Sequence, residues 1–247
     1  MRCPAIILLL LAGVALCAPV AEERIAHAAT RFRVVRAAPE QVQLVWKDEQ
    51  GTPLRTFDKV QALLAKHGKT ARFLMNAGIF EPGGIPSGLH VENGRTFHDL
   101  NLADAPGNFF LKPNGVFWIT AEADKRRAFI TPSEIFSGKL KTSSIQPAYA
   151  VQSGPLLLID GRRHPAFIQG SSNKLHRNGL GVDARGNIVF AITDRGQTVN
   201  FWDFAGLFLH LGCGNALFLD GDISQMSVNP DKPVESNQFG AMFVISE

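Results

Sequence analysis

Four apolar runs in this sequence end by delivering a polar side chain beside a glycine. "RFLMNAG" ends on Asn76, "AVQSGP" on Gln152 and Ser153, "VFAITDRG" on Asp194, and "ALFLDGD" on Asp220. A strand that ends this way lets a ligand approach closely, because glycine adopts dihedrals closed to other residues and carries no side chain. Taken singly, each reads first as an Asx or Ser turn. Together they describe the rim of one cleft. Arg177, at the head of "RNGLGVD", adds a cation whose planar guanidinium can hold a phosphate or carboxylate through two parallel hydrogen bonds. Such a rim suits an anionic substrate.

The elements that must position these groups are mostly strands. "RFRVVRA" and "EQVQLVWK" alternate apolar with polar residues, as half-buried strands do. In "TFDKVQALLAKHG" the period changes: Val60, Leu63 and Leu64 fall at helical spacing, with Thr56 as cap and Gly68 at the stop. "ARFLMNAGIF" returns to strand. "LHVENGRTF" and "NFFLKPNGVFWIT" both place Asn-Gly between apolar runs and predict hairpins, and "GVDARGNIVFAITD" predicts a third with a longer turn. "NFWDFAGLFLHLG" predicts a helix capped by Asn200, with Asp203 in its first turn and Gly212 at its end, feeding the strand that carries Asp220. "NQFGAMFVIS" makes a closing strand. The expected fold is α+β: a single domain over 19–247, a strand-rich, mixed, curved sheet with one or two helices packed on it.

The N-terminus stands apart. Arg2, the apolar run "AIILLLLAGVAL" and small residues around Ala18 form a secretory signal pattern over residues 1–18. The run is shorter than the roughly 20 residues of a comfortable membrane span, and no second span follows. Export to the periplasm or medium is expected. A lipid anchor at Cys17 is disfavoured by Leu16, larger than the small residue a lipobox places there. Loss of the signal would leave Cys213 as a lone cysteine, expected to be buried and inert. The chain has 247 residues, 45% hydrophobic and 19% charged, which is enough for a substantial core. A net charge of +3, without Lys/Arg clusters interleaved with aromatics, argues against a nucleic-acid partner.

Several motif matches fail on context. "SSNK" (171–174) and "KTS" (141–143) stand in the wrong order for a penicillin-binding enzyme. "GLGVDA" (179–184) matches a dinucleotide fingerprint but lies inside a predicted hairpin rather than between strand and helix. The seven histidines are scattered, with no pair at metal-ligand spacing. Asp220 and Asp222 offer hard oxygens for Ca²⁺, kept only as a minor alternative because regularly spaced carboxylates are lacking. No cofactor or metal is expected.

The stretches "MNAGIF", "PSGLHVENG", "VQSGPLL", "RNGLGVDARGNIVFAITD" and "NFWDFAGLFLHLGCGNALFLDGDISQM" occur in an order that resembles the phosphodiester glycosidase family, over roughly residues 30 to 245. The resemblance implies an exported hydrolase that cuts the sugar C1–O bond of a glycosyl-1-phosphodiester, releasing sugar and a phosphomonoester. The family's common leucine-aspartate-glycine-glycine-glycine-serine ending carries over at Asp220, Gly221 and Ser224, while Asp222 and Ile223 replace glycines. Asn76 also carries over, in a loop of altered sequence. Those departures bear on which sugar is selected.

On this reading Asp220 is nucleophile or base, Asp194 a second carboxylate or a group that holds a sugar hydroxyl, and Arg177 stabilises the leaving phosphate. Asn76 and Ser153 position phosphate or sugar, and Gly154 and Gly221 offer backbone N–H groups. Two alternatives remain at this level: an envelope glycan-binding protein without turnover, and a phosphodiesterase cutting P–O.

Overall fold

A computed structural model describes residues 19–122, 125–142 and 145–247. The predicted signal, with Cys3 and Cys17, and the end of "KTS" lie outside the described residues. Three antiparallel sheets enclose a common core. The largest runs in the order β1 (Glu22–His27), β2 (Thr30–Ala37), β15 (Ile188–Thr193), β14 (Asn178–Asp183), β16 (Cys213–Asp220), β12 (Leu156–Ile159) and β13 (Arg162–Arg163). The second orders β10 (Ala128–Pro132), β9 (Gly115–Thr120), β11 (Pro147–Ser153), β7 (His90–Glu92) and β8 (Arg95–His98). In the third, β17 (Met226–Val228), β4 (Ala71–Ala77), β18 (Ala241–Ser246) and β3 (Val42–Val45) lie side by side. A short pair, β5 (Phe80–Glu81) with β6 (Ile85–Pro86), stands apart.

The core takes one face from each sheet: Val35, Phe190 and Leu217 from the first, Phe117, Ile119 and Val151 from the second, Phe73, Met75 and Phe243 from the third. Each sheet then carries one helix on its outer face. α3 (Phe201–His210) covers Phe32, Leu157 and Phe218. α1 (Phe57–Lys66) packs Phe57, Val60 and Leu64 on Leu74 and Val244. α2 (Ser133–Lys141) sets Phe136 against Val116 and Trp118. The central strands therefore bury both faces, which explains the near-continuous apolar runs in β9, β15 and β18, whereas the edge strands β1 and β8 stay largely exposed.

The expected α+β, strand-rich single domain matches this architecture, with a third helix and several antiparallel sheets in place of one mixed sheet. Asn200 caps α3 as expected, accepting from the Asp203 backbone N–H at 2.8 Å, and Gly212 ends it at φ +81°. Thr56 precedes α1 but makes no side-chain cap; Ser236 Oγ instead accepts from the Phe57 N–H at 3.0 Å. The Asn93-Gly94 turn has both residues at positive φ, 48° and 78°, as a type I′ hairpin requires.

One predicted hairpin is absent. In "NFFLKPNGVFWIT", Asn108–Phe110 form a 3-10 turn and Asn114 is buried, its Nδ2 donating to the Phe109 carbonyl at 2.7 Å. Gly115 opens β9, whose partners β10 and β11 both come from later in the chain. A Cβ at Gly115 would lie 2.4 Å from Leu156 Cδ2, so the glycine serves close packing rather than a turn.

Candidate active site

The neighbouring strands β14 and β16 of the largest sheet and β4 of the third sheet bring three polar side chains together inside the protein. Asn178 opens β14, and its Cα pairs with that of Asp220 at the end of β16. From Ala216 to Phe218 β16 alternates normally, with Leu217 facing the common core and Ala216 and Phe218 facing α3. A β-bulge at Leu219 breaks the alternation. The extra residue returns Asp220 to the core side, beside Asn178 and opposite Asn76 of β4. Bulges commonly re-aim a side chain next to active sites, and this one aims a carboxylate.

The three groups form a directed network. Asn178 Nδ2 donates to Asn76 Oδ1 at 2.9 Å and to the Asn76 carbonyl at 3.2 Å. The Gln225 N–H donates to the same Oδ1 at 3.0 Å. Asn76 Nδ2 is left to donate to Asp220 Oδ2, at a long 3.4 Å. The other carboxylate oxygen, Oδ1, accepts from the Gly221 N–H at 2.8 Å. Asn76 and Asn178 are fully buried, whereas Asp220 keeps partial access to solvent. Burial pushes the Asp220 carboxyl up to about 6; the Gly221 and Asn76 donors oppose the rise and nearby Asp222 adds to it. The group thus changes charge in the range where a general base is useful.

The other expected site residues divide. Ser153 is fully buried, and its hydroxyl donates to the carbonyl of the bulged Leu219 at 3.1 Å while accepting from the Ile79 N–H at 3.4 Å. It braces the backbone that delivers Asp220. Gly154 precedes a cis peptide bond to Pro155 and packs so tightly that a Cβ would stand 2.6 Å from Asn114 Cβ. The Gly221 N–H is occupied by Asp220 itself. Ser224 is buried beside the site with its hydroxyl unpartnered.

Arg177 and Asp194 are not brought to Asp220. Arg177 precedes Asn178, so strand alternation turns it to the α3 face. There it is buried, its Nε donates to the Val199 carbonyl at 2.9 Å, and its guanidinium lies 3.8 Å over the Phe201 ring and 5.4 Å from that of Phe218. Burial lowers its pKa to about 10, so it stays charged at neutral pH, and one nitrogen, Nη1, has no partner. Asp194 follows β15, two strands from β16, on the order of 10 Å across the sheet. Its carboxylate accepts from Arg24 at 2.8 Å. Among the described residues no group of three or more His, Cys, Asp and Glu is placed to hold a metal ion. Asp222 instead turns its Oδ1 to the His176 N–H at 3.2 Å.

Two participants were missed in the sequence. Asn178 reads there as an ordinary strand residue. His176, ahead of Arg177, belongs to no recognisable motif, yet its Nε2 donates to the Ser224 carbonyl at 3.0 Å and its Nδ1 lies 2.6 Å from Thr193 Oγ1. It joins the turn after Asp220 to the neighbouring strands. The parity of β14, counted from its pairing with β16, would have signalled Asn178; no local motif does.

Comparison with known proteins bears on what these groups do. The sequence profile of the phosphodiester glycosidase family matches residues 69–242, a span that holds Asn76, Asn178 and Asp220. The uncharacterized protein YigE of Escherichia coli strain K12 is 34% identical over 196 residues, 78% of this chain and 71% of that protein. In fold, the chain is similar to the zebrafish N-acetylglucosamine-1-phosphodiester alpha-N-acetylglucosaminidase catalytic domain, auto-inhibited by its pro-peptide. The TM-score is 0.64 at 14% identity, with 92% of this chain and 81% of that chain covered. A Burkholderia pseudomallei protein described as exported gives a TM-score of 0.56 at 13% identity, covering 87% of this chain and 74% of that one. On the extent of the profile match and the identity to YigE, the chain belongs to the phosphodiester glycosidase family.

Proposed function

We propose that the protein is an exported glycosidase that hydrolyses the C1–O bond of a glycosyl-1-phosphodiester, with Asp220 as the reacting carboxylate. The observation that carries this reading is the environment of Asp220. A bulge delivers it to the buried face, an amide of fixed polarity meets one oxygen, and burial raises it to about 6. Ionised, it takes a proton from water as the water oxygen bonds to C1. The C1–O bond breaks with its electron pair going to the phosphate oxygen, and the phosphomonoester leaves as an anion. The products are free sugar and phosphomonoester, and the proton returns from Asp220 to solvent.

Glycosidases ordinarily need a second carboxyl to protonate the leaving oxygen. A phosphate leaves without one, which fits a site where Asp194 is held by Arg24 two strands away. Arg177, packed against Phe201 and Phe218 on the α3 face, serves the fold of the strand that carries Asn178 and is not a direct ligand of the phosphate in this reading. The zebrafish enzyme's substrate type, a sugar 1-phosphodiester, supports the same reaction class here. Export rests on the N-terminal pattern and on the likeness in fold to a protein described as exported; no helix among the described residues is long and apolar enough to cross a membrane.

The test is turnover of a panel of glycosyl-1-phosphodiesters by the protein lacking residues 1–18, beside Asp220→Asn and with chelator. Wild type should release sugar and phosphomonoester irrespective of chelator, and the variant should lose about 10²–10⁴-fold in rate. A folded Asp220→Asn protein with full activity would overturn the assignment. Ligand-dependent stabilisation without turnover on any member would favour a binding protein.

A further inference from the structure

We infer that Asn178 is a positioning residue: it sets the orientation of the Asn76 amide so that Asn76 presents N–H, not oxygen, to the carboxylate of Asp220. This rests on the proposed reading that Asp220 is the reacting group.

The polarity of the network follows from its one unambiguous member. A backbone N–H can only donate, so the Asn76 atom 3.0 Å from the Gln225 N–H is oxygen. The Asn178 atom 2.9 Å from that oxygen must then be the donor nitrogen, and the same nitrogen has a second acceptor in the Asn76 carbonyl at 3.2 Å. With its oxygen held by two donors, Asn76 has only its NH₂ left to face Asp220 Oδ2. The Gln225 N–H alone is a weak lock, because it sits on a short segment between the Asp220 turn and β17. Asn178 sits on the central sheet, fully buried, in register with Asp220 itself. Removing it leaves the Asn76 amide one donor short and free to turn its oxygen toward the carboxylate.

Few charges compete with this device. Asp222, on the same turn, disfavours ionisation of Asp220. His176, from the segment before Asn178, engages the Asp222 carboxylate through its backbone and the Ser224 carbonyl through its ring. Arg177 lies on the α3 face. The third sheet presents the uncharged Asn76, and the second sheet the uncharged Ser153, whose hydroxyl goes to Leu219. The Asn76 amide is thus the side chain through which the fold favours the ionised form. A donor withdrawn from a carboxylate, or replaced by an acceptor, raises its pKa by about one unit or more.

The experiment is a double-mutant cycle on Asn178→Ala and Asn76→Ala. It is read by ¹³C NMR titration of the Asp220 carboxyl in folded protein and by the acid limb of kcat/KM against pH. Each single variant should raise the Asp220 midpoint by about one pH unit. In the Asn76→Ala background, Asn178→Ala should add nothing further, since its effect runs through the amide already removed. Asn178→Ser, whose hydroxyl can still donate to Asn76 Oδ1, should restore part of the wild-type midpoint and guards against a variant that fails to fold. An unmoved midpoint in Asn178→Ala, or additive shifts in the double variant, would overturn the inference. The carboxyl titration does not depend on turnover, so it separates this outcome from failure of the catalytic reading, which full activity in Asp220→Asn would reveal.

Discussion

If Asp220 is kept for chemistry at a cost to the fold, replacing it with asparagine should stabilise the protein while stopping the reaction. Raising a carboxyl from its ordinary 3.8 to about 6 makes its ionised form about 3 kcal/mol costlier in the native state, at about 1.4 kcal/mol per pH unit. Two corrections reduce that figure. Asp220 retains some solvent access, which screens the penalty. In Asp220→Asn the new amide can accept from only one of Gly221 and Asn76, at a loss of about 1 kcal/mol. The net gain at pH 7.5 is about 1–2 kcal/mol, or roughly 2–8 °C in Tm for a domain of this size. The sign depends on pH. Because the folded pKa is raised, the acid's favourable contribution is complete below its ordinary value and is lost as pH rises through about 6. The advantage of the variant should therefore be present at pH 7.5 and be largely lost by pH 4.5, where the native wild type is neutral and only the unfolded chain is still ionised. Paired thermal unfolding at the two pH values measures this, and other titrating groups cancel in the difference. A variant less stable at pH 7.5, or an advantage of equal size at both pH values, would refute the reasoning.

Other consequences concern parts that serve the site from a distance. Wild-type kcat/KM should fall as pH drops through about 6, the midpoint of Asp220, and a pH–rate profile flat from 5 to 8 would contradict its role as base. Arg177→Ala should cost about 2–4 kcal/mol in denaturant unfolding, because it empties the space against Phe201 and Phe218 and strands the Val199 carbonyl. It should leave the Asp220 midpoint nearly unmoved. Cys213, buried and with its thiol pushed up to about 12, should resist thiol reagents in the folded protein lacking residues 1–18 and react fully in guanidinium. Gly181→Ala should lose about 1–3 kcal/mol of stability, since its Cβ would stand 2.6 Å from Cys213 Sγ and 2.9 Å from Phe208 Cδ1.

The sequence disclosed those features whose signal is local. α1 and α3 show helical spacing between a polar start and a glycine stop, and the Asn93-Gly94 turn demands a backbone that those two residues supply. The "PNG" at 113–115 carries the same local signal with a different outcome. Its glycine is there because Leu156, some forty residues on, packs against it, and nothing nearby records that. α2, only nine residues long, buries just Ser133 and Phe136 and so leaves little helical spacing in the sequence.

For the site, Asp220 and Asn76 were legible because both end apolar strands. The facing of each side chain was not. Arg177 and Asn178 are adjacent in sequence and lie on opposite faces, a matter of pairing register with β16. Asp194 looks equivalent to Asp220 until β1 and β2, from the other end of the chain, bring Arg24 against it. The bulge at Leu219, which turns Asp220 inward, is likewise a property of paired strands. A single strand read alone does not reveal it.

Cleavage of the C1–O bond is tested by hydrolysis of a glycosyl-1-phosphodiester in ¹⁸O-labelled water, with both products analysed by mass spectrometry. Attack at C1 with Asp220 as base places the label in the sugar and leaves the phosphomonoester unlabelled, with the rate about 10²–10⁴-fold lower in Asp220→Asn. Label in the phosphate would mean that the P–O bond is cut, and would contradict the account.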